Sequence, residues 1–95
     1  MTITALKYKA TTKRQLLVEN KPIMSDGFSC IIVKNVGESV VTVYDVITLK
    51  PDESWVFDNQ PYVIIDEDIN VIFTSEIGKA DKVLVVKTYF EEAKK

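Results

Sequence analysis

The side chains that could do chemistry in this chain are few, and the gaps among them exclude whole reaction classes. There is no histidine, which removes the commonest general base, the usual Ser and Cys triads, and most zinc and iron sites. Cys30 sits inside the apolar run Phe28–Val33; a nucleophilic thiol needs an activating neighbour, and a core thiol needs none. The three glycines have no phosphate-cradling spacing. Asp66-Glu67-Asp68, with Asp58 nearby, offers oxygen atoms to a hard cation, but it lacks the alternating ligands and the glycine of a calcium loop. It reads as a solvated turn. Nothing in the sequence places two carboxylates across a cleft for glycoside hydrolysis. The expectation is a protein that is not an enzyme, with no catalytic residue, no metal and no cofactor.

Two groups remain that could bind. Trp55, the single tryptophan, and Phe57 alternate on one short apolar run, so both rings project from one face, with Tyr62 a few residues on. They can serve as an interface anchor, a sugar-stacking platform or core. Lys7, Lys9, Lys13 and Arg14, with Tyr8 among them, form a basic group that can meet phosphates, lie solvated as an arm, or face an acidic neighbour. The formal net charge of −2 gives no pull toward nucleic acid or an anionic membrane. Its distribution is polar: the first twenty-one residues carry +4, whereas residues 38–76 carry nine acids against Lys50 alone. That asymmetry suits head-to-tail contact between copies.

The elements that must hold these residues are β-strands. Ninety-five residues make one domain with one core, spanning 1–95, in which 1–14 is either strand or N-terminal arm and 91–95 is a charged tail. Short runs rich in Val and Ile, broken by Gly, Pro, Asn and Asp near every tenth residue, predict an all-β fold: a single antiparallel β-sandwich, jelly-roll or Ig-like, of seven to eight short strands. Runs are expected at Thr2–Lys9, Arg14–Glu19, Tyr44–Leu49, Ser54–Phe57, Tyr62–Ile65, Ile69–Thr74 and Lys82–Phe90. Phe28–Val43 reads as a central hairpin turning at Asn35-Val36-Gly37-Glu38. No helix-period stretch, secretion signal or membrane span is present in the pattern, and the lone cysteine fits a reducing compartment. In Cys30–Val33 and Val83–Val86, successive residues are apolar, so both faces of a sheet are greasy there. A two-layer domain covers one face of each sheet itself; the other calls for a neighbour.

The order Asn35-Val36-Gly37, Val41 and Val43, then Leu49-Lys50-Pro51-Asp52-Glu53-Ser54, an aromatic strand, Ile69–Phe73, and a Val-rich strand ending Thr88-Tyr89-Phe90 resembles the small β-sandwich structural proteins of tailed bacteriophages, over residues 28–90. Asp52 stands where that pattern has Gly. The resemblance implies a capsid-decoration or auxiliary head protein, made in the host cytoplasm and located in the virion. It would bind coat subunits, fibre or its own copies as a homo-oligomer, with no nucleic-acid or membrane partner. The alternative expectation is a carbohydrate-binding or host-recognition sandwich using Trp55, Phe57 and Tyr62; a cupin-type enzyme is the remote third.

Overall fold

The computed structural model describes residues 7–92, and within them the chain is all-β. Seven strands form: β1 (Tyr8–Leu17), β2 (Cys30–Asn35), β3 (Val40–Val43), β4 (Ile47–Leu49), β5 (Ser54–Phe57), β6 (Val71–Thr74) and β7 (Val83–Glu92). They make a four-stranded sheet, ordered β1-β7-β2-β5, and a three-stranded sheet, ordered β4-β3-β6. Every ladder is antiparallel. The expected sandwich of seven to eight short strands is the fold found.

The hairpin lies elsewhere than the sequence suggested. β2 and β3 belong to different sheets, so Asn35–Glu38 is a corner between layers and not a hairpin turn. The true reversal is Tyr44-Asp45-Val46, closed by Val43 opposite Ile47, with Tyr44 (φ 55°) and Asp45 (φ 62°) both left-handed. From that tip outward the pairings are nested: β3 with β4, β2 with β5, Ile23 with Ile69, and β1 with β7. The chain is therefore one long antiparallel hairpin rolled up so that β3 also meets β6 and β2 also meets β7.

The corner explains the Asn and Gly. The Asn35 side chain is fully buried; its amide donates to the carbonyls of Ser39 (2.7 Å) and Leu49 (3.0 Å), and its Oδ1 accepts from Gly37 N (3.0 Å). It thereby gives buried backbone groups at the change of sheet a hydrogen-bond partner. Gly37 is needed for space: a Cβ there would lie 2.6 Å from both Ala80 O and Lys82 N. At the next turn, Pro51 precedes Asp52 (φ 71°), and Glu53 N reaches Lys50 O at 3.0 Å, a type II turn in which Asp takes the position that favours Gly.

The core follows the period of two. Ile31 and Val33, Val83 and Val85, and Leu17 point in from the four-stranded sheet to meet Val41, Val43, Leu49, Val71 and Phe73. Burying this set supplies the main drive to fold, at about 25 cal/mol per Å² of apolar surface removed from water. Tyr62–Ile65 is not a strand; it belongs to a loop in which Ile65 N donates to Phe28 O at 2.9 Å. Ala10-Thr11-Thr12, between the expected runs Thr2–Lys9 and Arg14–Glu19, lies within β1, because β7 pairs with β1 residue for residue from Tyr8 opposite Glu92 to Leu17 opposite Val83. Beyond Cys30 opposite Thr88 that pair has no further strand partner among the described residues and continues as a two-stranded ribbon, so the expected charged tail is strand as far as Glu92. The Cα radius of gyration is accordingly 16.1 Å, against about 12 Å for a compact domain of this length. Most of the Thr2–Lys9 run lies outside the described residues.

Candidate functional site

Two surfaces are left open by the packing. The first is the outer face of the four-stranded sheet. The register puts Arg14, Val86, Ile32 and Val56 in one row across all four strands, with Leu16, Leu84 and Lys34 in the next. Leu16, Ile32 and Val56 are 54%, 41% and 51% exposed, while Leu84 and Val86 are half-buried. Of the doubled apolar runs, then, Ile31, Val33, Val83 and Val85 are enclosed by the chain and their outward neighbours are not. Cys30 is covered in part by the loop after β5, which returns over it, Asn59 N donating to Sγ (3.5 Å) and the thiol to Asn59 O (3.4 Å).

The second is a groove of about 450 Å³ between β5 and the loop that follows. Its floor is aromatic. Trp55 and Phe57 project from the same face of β5, as their alternation required, with ring centroids 6.0 Å apart. Tyr44 stacks on Trp55 at 6.3 Å and 20°. Val63, Ile64 and Ile65 form one wall; Asp66 and Glu67 form the rim. The Tyr44 hydroxyl donates to Glu67 Oε1, and that bond, with smaller help from desolvation and from the negative charges of Glu67 and Asp45, raises the phenol above its ordinary value. No basic side chain lines the groove among the described residues. It therefore repels anions and favours a cation, which the rings attract through their negative faces.

The basic group is not gathered into one patch. Lys7 is exposed just before β1; Lys9 and Lys13 point to one side of β1, Tyr8 and Arg14 to the other. Lys13 Nζ lies 4.9 Å from the Tyr89 ring centroid. Tyr62 is 71% exposed and stands outside the groove, its hydroxyl directed to Gln60. Tyr44 was not singled out from the sequence, and Asp66 and Glu67 were read there as part of a solvated turn and not as neighbours of the aromatic residues. Only a pairing that brings the 44–46 tip beside β5 reveals them, and nothing local in the sequence encodes it. The three acids of the 66–68 turn also diverge: Glu67 turns to Tyr44, whereas Asp68 accepts from Ser25 N at 2.8 Å. Among the described residues no cluster of side chains suited to a metal ion is formed.

The class that fold and surfaces define is a small antiparallel sandwich with an open apolar sheet and an aromatic, acid-rimmed groove. No family model, curated protein or solved structure matches the chain.

Proposed function

We propose that this chain is a non-enzymatic structural module that works by docking on protein, as a decoration or auxiliary component of a tailed-phage particle. The observation that carries the docking is the uncovered patch of Leu16, Ile32 and Val56, from two adjacent rows of the outer sheet face. Contiguous apolar surface of this kind is characteristic of contact sites, and burying it on a neighbour would supply the binding drive.

The nested pairing supports the setting. With residues 21–23 beside β6, through Lys21 N to Val71 O (3.3 Å) and Ile23 N to Ile69 O (2.7 Å), the two layers have the strand order of a jelly roll, an architecture common in capsid proteins. The phage assignment itself rests on the resemblance of residues 28–90. Jelly rolls also serve lectins, and the aromatic groove favours a glycan-binding module as the second reading. Tyr44 already occupies one face of Trp55, which leaves less ring for a sugar to stack on.

The test is particle composition. Purified particles of the phage encoding the chain should contain it in stoichiometric amount. An Ile32→Glu/Val56→Glu variant should fold and yet be missing from the particle. Absence of the wild-type chain from particles refutes the assignment, and undiminished incorporation of the variant refutes docking through this sheet.

A further inference from the structure

β1 and β5 are the two edges of the four-stranded sheet, and they carry opposite charge. β1 presents Lys9, Lys13 and Arg14 along an exposed strand; β5 has no charged side chain of its own but is flanked by Glu53 and Asp58, with Asp66 and Glu67 on the groove its aromatic rings floor. Free edges pair with other chains unless guarded. Here the guards are selective. A β1 edge meeting another β1 sets lysine against lysine, and β5 against β5 sets acid against acid, each unfavourable. Only β1 against β5 attracts. Lys9 and Arg14 even have the same separation in sequence as Glu53 and Asp58, so one strand laid along the other brings both ends to opposite charges.

The two edges cannot meet within one molecule. β7 and β2 lie between them, a separation of about 14 Å at the usual strand spacing. We propose that the β5 edge and its aromatic groove receive the β1 strand of a second copy, a basic side chain of the incoming strand entering the ring of Tyr44, Trp55 and Phe57 beneath Asp66 and Glu67. The contact is head-to-tail, so it propagates as a chain of copies or closes as a ring. It rests on the protein-docking reading above but uses a different surface, since the outer sheet face stays free for another partner.

Sedimentation velocity on the full chain tests this. Mass should rise with protein concentration and fall as salt screens the charges. Asp66→Lys/Glu67→Lys, which spoils the groove, and Lys13→Glu/Arg14→Glu, which spoils the strand, should each run as monomers with circular dichroism unchanged. Mixed, they should associate again, because the intact strand of one variant meets the intact groove of the other and the reversed strand and reversed groove are themselves of opposite charge. Ile32→Glu should self-associate like wild type, which separates failure here from failure of the outer-face reading. A wild-type protein monomeric at every concentration overturns the proposal, as do charge variants that assemble normally. So does a soluble glycan bound in the groove by a protein that does not self-associate.

Discussion

Replacing Asn35 by Ala should unfold this protein more readily than any loss of side-chain bulk there can explain. The side chain is wholly enclosed and makes three hydrogen bonds, two donated to main-chain carbonyls and one accepted from a main-chain amide. Each is worth about 1 kcal/mol net, and a buried carbonyl left without a donor costs about 1 kcal/mol or more beyond that. The expected loss is about 3 to 4 kcal/mol, out of about 5 to 14 kcal/mol for a chain of this length. Urea unfolding followed through Trp55 fluorescence measures it. With a slope of about 1 kcal/mol per molar in urea, the midpoint should fall by about 3 M at unchanged slope. Asn35→Asp is the discriminating companion. It preserves size and the acceptor for Gly37 N but turns a carboxylate oxygen toward two carbonyls, so at neutral pH it should be at least as damaging, with partial recovery in acid as the carboxyl gains a proton to donate. If Asn35→Ala costs less than about 1 kcal/mol, or Asn35→Asp behaves like wild type, the corner is not held by this amide.

Gly37→Ala should cost about 2 kcal/mol or more by chemical denaturation, because the added methyl meets two backbone atoms that cannot rotate away; a neutral result would mean the corner relaxes freely. Asp52→Gly should raise stability by about 0.5 kcal/mol, the relief of a left-handed φ outweighing the extra freedom of the unfolded glycine, and an unchanged melting curve would count against the type II geometry. Tyr89 is pushed up to about 12, by burial first and then by its hydroxyl bonding Asp26 Oδ1 at 2.8 Å. A raised tyrosine pKa stabilises fully below the unfolded value near 10 and loses that contribution as pH climbs to about 12. Phenolate absorbance should therefore show a late-titrating tyrosine that disappears in Tyr89→Phe; an unaltered titration would refute the assignment.

Local signals carried the strands well. Ser54–Phe57 runs between the expected limits, and Ile69, Val71 and Phe73 are buried as their alternation required. Both decide themselves within a few residues, through β-branched content and a period of two. Tyr62–Ile65 fails on the same criterion. Its apolar residues suit a strand, but the neighbouring edge is β5, whose inner face is occupied by Trp55 and Phe57, so the segment arches over the rings and becomes the groove wall. Likewise Ala10-Thr11-Thr12 looks like a break on its own and is held extended only by Phe90, Tyr89 and Thr88 opposite.

Pairing was not legible, for a reason the Asn-Val-Gly sequence illustrates. A hairpin turn asks Asn and Gly for positive φ; a corner between sheets asks Asn for two amide donors and Gly for the absence of a Cβ. The residue types are the same, and only the carbonyls of Ser39, Leu49 and Ala80, brought in by nested long-range ladders, distinguish the demands. The displaced hairpin is also what creates the candidate site. Moving the tip to Tyr44-Asp45-Val46 lets Tyr44 stack on Trp55 and lets Glu67 reach its hydroxyl. An aromatic pair expected from two residues becomes a three-ring, acid-rimmed groove at a free sheet edge. The charge polarity visible along the sequence acquires a geometry in the same step, since rolling a single long hairpin puts its first strand and its fifth at opposite borders of one sheet.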